Sequence, residues 1–285
     1  MLAFWDGTFR QAEDCFTSVR DRGYYFGDGA YDGFSVYGGV CFAMEEHVDR
    51  LMRSLAALEI VSPYSKAEMM DILTRSVLES GKKEMFLYFQ VTRGCADRRH
   101  AYADGMRGQF LLFVIDRANY SGYRKSGASL VSVPDDRWRR CDIKSLNLLA
   151  NVMAAKKASV RGAIDALLVR DGSAAECAAH NVFRVKDGIL YTEPESGLIL
   201  SGIGRKHVIE IAEAQKIKVV QAHSALMDYY EADEVFITSC VALALPISKI
   251  DDRRIGGAYP ISEAIYAAYL ARLRAVCGDI DEGLI

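Results

Sequence analysis

The sequence predicts a mixed α/β protein of two domains, and three observations predict it. Its 285 residues are more than one small domain needs, and a chain of that length commonly divides into one or two cores. Strand-length apolar runs and helix-period runs are interleaved without the regular alternation of a parallel βαβ fold. A polar, glycine-bearing stretch, "DRANYSGYRKSG", interrupts the pattern. The expected division is a small N-terminal α/β domain over 1–115, an interdomain linker over 116–127 and a larger domain over 128–285.

The elements follow in order. "LAFWDGTFR" and "FSVYGGVCFAM" carry Asp-Gly and Gly-Gly between apolar runs, which predicts two tight hairpins. "EEHVDRLMRSLAALEI" repeats Val48, Leu51, Leu55 and Leu58 on one helix face. "SKAEMMDILTRSVLES" opens with Ser65 and Glu68, a capping box for a second helix. "MFLYFQVTRG" and "QFLLFVID" have the length and aromatic content of buried strands. Beyond the linker come a strand at "ASLVSV", a helix over Leu146–Arg161 and hairpins at Asp171-Gly172 and Asp187-Gly188. A helix from about Gly204, the strand "EVFITS" and a last helix over Ile261–Arg274 complete the reading.

Composition narrows the partners. A net charge of −3 and a pI near 6.0 exclude the basic face that nucleic-acid binding needs. The longest apolar runs fall short of a membrane span, and the acidic N-terminal stretch does not fit a secretory signal. Seven cysteines without a Cys-x-x-Cys pair read as reduced thiols of a cytoplasmic protein. No metal centre is expected.

Chemistry is sought first among the lysines of "CDIKSLNLLANVMAAKK". Lys156 and Lys157 fall in the last turns of the expected helix, where cations complement its dipole. Lys144 stands where that helix is expected to start, at the end that disfavours a cation. An unprotonated lysine is a nucleophile for carbonyl compounds; a solvent-facing lysine is the bland alternative. "SGIGRKHVIEIA" offers Gly202-Ile203-Gly204 at a helix start, where free N–H groups suit a phosphate. Glu176, among small residues in "DGSAAECAAHNVF", suits a cationic ring nitrogen, or is an exposed strand glutamate. "GDGAYDG" mimics a dinucleotide loop, but the strand-like "FSVY" follows it instead of a helix, which excludes that reading.

The motifs "RGYYFGDGAYDG", "EEHVDRL", "VTRG", "CDIKSLNLL", "ECAAHNVFRVKDGILYTEP", "LSGIGR" and "DEVFITS" stand in register along nearly the whole chain. In them the sequence resembles the class IV, fold-type IV pyridoxal phosphate aminotransferases, and is closest to D-amino-acid aminotransferases. The resemblance implies a larger domain with a barrel-like mixed sheet. It implies pyridoxal 5'-phosphate carried on Lys144, which also moves the proton between cofactor and substrate. Glu176 would hold the pyridine nitrogen. Arg50, otherwise a surface arginine paired with Glu46, would hold the phosphate with the N–H groups of Ile203 and Gly204 and with Ser239 and Cys240. Tyr31, Arg98 and His100 would trap the substrate carboxylate. Their bland alternative is a solvated basic loop at Arg98 to His100. The implied partners are a small amino donor and a 2-oxo acid acceptor, and the implied assembly is a homodimer with sites at its interface.

The implied reaction moves the amino group between a D-amino acid, such as D-alanine, and a 2-oxo acid, such as 2-oxoglutarate. Branched-chain L-amino-acid and (R)-amine transaminases and aminodeoxychorismate lyases share the fold and are the alternatives. Five positions depart from the family pattern. Asp32 replaces a glutamate, Gly204 replaces a threonine, and Val241, Ala242 and Leu243 replace hydroxylic residues. Weaker cofactor retention is expected from the lost hydroxyls, with threonine at 204 restoring it. Val241, Ala242 and Leu243 are expected to line an apolar side-chain pocket.

Overall fold

The computed structural model describes residues 1–280 and 283. The chain forms two compact units. The first contains Met1–Arg117, Ile143–Asn147 and Val276–Ile280; the second contains Ala118–Asp142 and Leu148–Ala275.

In chain order the first unit has strands β1 (Leu2–Trp5) and β2 (Thr8–Gln11), helix α1 (Arg22–Phe26), then β3 (Gly29–Tyr37) and β4 (Val40–Cys41). Helices α2 (Met44–Ala57) and α3 (Lys66–Ser80) and strands β5 (Met85–Thr92) and β6 (Gln109–Ile115) follow. The strands make one sheet in the order β2-β1-β6-β5-β3-β4. Both expected hairpins form. Asp6 and Gly7 have φ of 50° and 79°, and Gly38 and Gly39 have 59° and 86°. Left-handed backbone at both turn positions matches the twist of the flanking strands. The capping box forms as well: Glu68 N–H donates to Ser65 Oγ, and the Ser65 N–H donates back to Glu68 Oε2 at 2.8 Å.

One core fills this unit. Val48, Leu51 and Leu55 of α2 and Met69, Ile72, Leu73 and Val77 of α3 pack with Phe34, Leu87, Phe89 and Leu112 of the sheet. The i, i+3, i+4, i+7 spacing places each set on one helix face.

Ile143–Asn147 groups with this unit although it lies inside the sequence expected to form the second domain. Its backbone runs beside the start of β3. Tyr31 N–H donates to the Lys144 carbonyl at 3.0 Å, and Leu146 N–H donates to that of Gly29 at 2.9 Å. Gly29 permits this approach, because a Cβ there would lie 2.6 Å from Leu146 Cδ1 and from the Val91 carbonyl. Asn147 Nδ2 adds a bond to the Gly27 carbonyl at 3.1 Å. Backbone groups bound to a strand cannot also open a helix.

The second unit runs β7 (Ala128–Pro134), α4 (Leu149–Val160), β8 (Asp165–Arg170), β9 (Ser173–Cys177), β10 (Asn181–Lys186) and β11 (Ile189–Thr192). Then come α5 (Ile203–Ala214), β12 (Val219–Gln221), α6 (Leu226–Tyr230), β13 (Glu234–Thr238), β14 (Leu245–Ile250), β15 (Arg253–Arg254) and α7 (Pro260–Cys277). Its mixed nine-stranded sheet has the order β12-β11-β10-β13-β14-β7-β8-β9, with β15 on β14. The Asp171-Gly172 and Asp187-Gly188 turns form with φ of 52° and 82°, and 51° and 75°. Among the described residues no helix is long and apolar enough to cross a membrane.

Candidate active site

Lys144 lies on the segment beside β3, half-buried. Its N–H donates to Ser54 Oγ of α2 at 3.2 Å. Its Nζ donates to the Tyr31 hydroxyl at 3.3 Å and lies 4.3 Å from the centre of that ring. Tyr31 stacks on Tyr88 with centres 5.5 Å apart, and Tyr88 stacks on Phe113 at 5.6 Å. A short aromatic row on one face of the sheet thus carries the ammonium. The helix expected to begin just after Lys144 begins at Leu149, so Lys144 does not sit at a helix N-terminus and the dipole does not act on it. Lys156 and Lys157 are exposed in the late turns of α4, as their spacing predicts.

Arg50 is 7% exposed and is no surface residue. Its Nε and Nη2 donate to the two oxygens of Asp32 at 2.7 and 2.8 Å. His47 Nδ1 lies 2.7 Å from Asp32 Oδ1. Burial opposes ionisation of Asp32, but the Arg50 guanidinium and His47 outweigh it and hold the carboxyl well below the usual carboxylate range. Asp32 is therefore the acceptor, and His47 Nδ1–H the donor. Burial depresses the imidazole, Asp32 partly offsets this, and Arg50 and Lys144 depress it further, so His47 is neutral at pH 7. A bidentate carboxylate fixes the plane of the guanidinium. Nothing in the sequence pattern paired Asp32 with Arg50, because the contact joins β3 to α2.

Arg98 and His100 are exposed on the loop after β5. Arg98 packs over the Phe26 ring at 5.0 Å and His100 at 5.5 Å. Among the described residues no hydrogen bond, ion pair or ring contact joins either of them to Tyr31. The loop backbone is held from below by the buried Arg22, which donates to the Arg99 carbonyl at 2.6 Å. Asp28 anchors this arrangement, accepting from Arg22 Nε at 2.7 Å and Arg93 Nε at 2.8 Å. Burial disfavours its charge, but Arg93 and Arg22 prevail and lower its carboxyl below the ordinary value.

In the second unit Glu176 is 5% exposed, which rules out the exposed strand glutamate. Arg137 Nη1 donates to its Oε1 at 2.5 Å, Asn181 Nδ2 to its Oε2 at 2.9 Å, and the Leu200 N–H reaches it at 3.2 Å. Asp135 holds the other side of Arg137, at 2.9 Å from Nε. Burial alone would weaken the Arg137 charge, but Asp135 and Glu176 more than compensate and keep it cationic. Sequence reasoning missed Arg137. Only its position in the charged run "DDRWRRCD" hinted at a role.

Gly202 begins α5 without a side-chain cap. The first N–H groups of a helix, here those of Ile203, Gly204 and Arg205, have no acceptor within it. Thr238, at the end of β13, is 1% exposed, and its Oγ1 has no hydrogen-bond partner. A Cβ on Gly204 would meet that oxygen at 2.9 Å and the Ser239 backbone at 3.0 Å. A side chain at 204 would therefore need the Thr238 hydroxyl to turn aside and the Ser239 backbone to give by a few tenths of an ångström. Ser239 Oγ accepts from the N–H groups of Val241 and Ala242 at 3.3 and 3.1 Å, shaping the turn that includes Cys240. Ala242 packs within the core of the unit and Leu243 is wholly buried, so of the three apolar residues only Val241 keeps any exposure. Free N–H groups, a helix dipole, a glycine and an orphan hydroxyl are a donor set that fits a phosphate.

Comparisons with known proteins agree with this inventory. The D-alanine aminotransferase of Bacillus licheniformis is 37% identical over 260 residues, 91% of this chain and 92% of the relative. That of Listeria monocytogenes serotype 1/2a (strain 10403S) is 38% identical over 276 residues, 95% of this chain and 96% of the relative. Among solved structures, the branched-chain aminotransferase of the thermophilic archaeon Thermoproteus uzoniensis, crystallised with norvaline, superposes with a TM-score of 0.86. It is 26% identical, and the match covers 98% of this chain and 95% of its own. The family model for amino-transferase class IV matches residues 29–250. A match over that span, together with relatives of nearly the same length, shows that the chain belongs to the class IV aminotransferases.

Proposed function

We propose that the chain is a pyridoxal 5'-phosphate-dependent transaminase that moves the amino group of a D-amino acid such as D-alanine to a 2-oxo acid such as 2-oxoglutarate. One observation carries the reading beyond the family. Arg98 and His100 stand side by side on Phe26, on a loop whose backbone the buried Arg22 fixes. Such a pair recognises a carboxylate, which an amine donor lacks. The curated relatives at 37% and 38% identity are D-alanine aminotransferases, which supports the D-specific reading over the branched-chain one.

When bound, the cofactor supplies an electron-withdrawing ring that stabilises negative charge on the substrate α-carbon. The residues of the chain divide the remaining work. Lys144 would take the cofactor aldehyde and move the proton at its Nζ, with the Tyr31 hydroxyl as the acceptor that orients the ammonium. Glu176 would hold the ring nitrogen protonated, and Arg137 and Asn181 fix the carboxylate for that task. Arg50, oriented by Asp32, would hold the phosphate with the N–H groups of Ile203 and Gly204 and the Ser239–Cys240 turn. We assign Tyr31, Arg98 and His100 to the substrate carboxylate. Arg98 and His100 are exposed and out of contact with Tyr31, which fits a homodimer in which each loop serves the partner's site. All seven cysteines are free, which fits a reducing cytoplasmic compartment.

A half-reaction panel tests the reading. D-alanine, L-leucine and an (R)-amine are mixed separately with the cofactor-loaded protein, and loss of its visible absorbance is followed. Rapid loss with D-alanine alone is expected. Rapid loss with L-leucine moves the assignment to the branched-chain enzymes.

A further inference from the structure

The buried hydroxyl of Thr238 faces the start of α5. Thr238 is 1% exposed on β13, paired in register with Asn181 of β10. Its Oγ1 meets no donor or acceptor in the structure. A buried hydroxyl left in that state is uncommon and costly, and it calls for an explanation. The direction it faces is fixed by Gly204: a Cβ built there would lie 2.9 Å from Oγ1. The oxygen therefore looks onto the first turn of a 12-residue helix, where N–H groups also lack acceptors.

We propose that Thr238 donates its hydroxyl to the cofactor phosphate, in place of the side chain that position 204 lacks. The proposal rests on the reading that the chain binds pyridoxal phosphate at the start of α5. Glycine at 204 and the orphan hydroxyl at 238 are two parts of one arrangement. A side chain at 204 would press on Oγ1 at 2.9 Å and on the Ser239 backbone at 3.0 Å, so glycine there leaves the Thr238 hydroxyl its present place. Ser239 Oγ accepts from the N–H groups of Val241 and Ala242, which fixes it in its turn and leaves its O–H as a second donor beside Thr238. Cys240 brings a thiol, which is a weak donor. Thr238 is the hydroxyl whose oxygen has no partner in the structure, and an oxygen-rich dianion is the partner that suits it and the free N–H groups together.

The test compares pyridoxal phosphate with pyridoxal, which has the same aldehyde and ring but no phosphate. Dissociation constants for both are measured by absorbance titration of the apoprotein forms of the parent, Thr238→Val and Thr238→Ser. Valine keeps the shape and removes the hydroxyl; serine keeps the hydroxyl. Thr238→Val is expected to bind pyridoxal phosphate about tenfold more weakly or worse, as loss of a bond to a charged group implies. Its pyridoxal affinity is expected to match the parent, and Thr238→Ser is expected to stay within about threefold of the parent on both. Unchanged pyridoxal phosphate affinity in Thr238→Val overturns the proposal. So does an equal loss on both compounds, which would make the effect one of packing. Should valine prevent folding, Thr238→Ala is read in the same way. A parent protein that takes up pyridoxal but gains nothing from its phosphate overturns the phosphate site itself, and one that takes up neither compound overturns the functional reading.

Discussion

Arg22 holds the backbone of His100: its Nη2 donates to that carbonyl at 3.1 Å, while its Nη1 holds the carbonyl of Arg99. The loop that carries the Arg98 and His100 side chains is thus held through its backbone by a residue outside the proposed carboxylate trap. Arg22→Met should loosen the loop without removing a carboxylate ligand. It is expected to raise KM for D-alanine about tenfold while kcat changes little, because what is lost is ordering of the binding groups. Arg98→Ala should cost about ten- to a hundredfold in kcat/KM on D-alanine, the loss of one charge-assisted contact. Both variants should act normally on an amine without a carboxylate. Equal losses on both substrates would make the loop merely structural.

Lys144→Ala should abolish the visible band of the lysine-linked cofactor and its fixation by borohydride. Turnover should fall by at least about three orders of magnitude, since the proposal gives one side chain both the covalent link and the proton transfer. Lys156→Ala and Lys157→Ala should leave both unchanged, because these side chains are exposed on α4. Full activity in Lys144→Ala would refute the assignment.

Glu176→Gln should retain the cofactor and lose most of the rate, since an amide does not stabilise a protonated ring nitrogen. Arg137→Met is expected to be worse for the fold. It leaves the buried carboxylates of Glu176 and Asp135 without their shared cation, a loss on the order of 3–5 kcal/mol. Thermal melting should show a fall of about 10 °C. A melting temperature like that of the parent would mean that other donors suffice.

Acid should weaken the first unit through two groups that act in the same direction. His47 has a folded value below its ordinary 6.5. As pH falls through 6.5 the unfolded chain binds the proton first, and stability drops. Asp32 is also depressed, from 3.8, so the stability it confers is present above that value and is lost as pH falls further. Neither group costs stability on the alkaline side. The melting temperature should be level near pH 7, decline below about 6.5 and decline faster below about 3.8. His47→Gln should remove the first decline and keep the second. An unaltered profile in that variant would place the acid sensitivity elsewhere.

What the sequence disclosed was local. The Asp6-Gly7, Gly38-Gly39, Asp171-Gly172 and Asp187-Gly188 turns need left-handed backbone, and those residue pairs announce it. The Ser65–Glu68 box and the helix faces of Val48 to Leu55 are equally local signals. The start of α4 was not legible. "SLNLL" has helix-forming residues, but its first part is bound to β3, and a partner more than a hundred residues away outweighs propensity. The pairing of Asp32 with Arg50 and of Arg137 with Glu176 was hidden for the same reason. The narrowness at Gly204 was hidden too, because glycine in a sequence does not say what its missing side chain would have struck.

The excursion of Ile143–Asn147 to β3 bears on how the protein is made and recombined. During synthesis the first sheet keeps an open edge at Ala30 and Tyr31 until about thirty residues beyond Arg117 have left the ribosome, because only then does its covering segment exist. An N-terminal fragment ending at Arg117 would carry that edge permanently, and it would be prone to self-association. A chimera joined to a relative at the same point would inherit its lysine-bearing segment from one parent and the strand that receives it from the other. Crossovers that respect this structure must therefore keep residues 29–31 and 143–147 from a single parent.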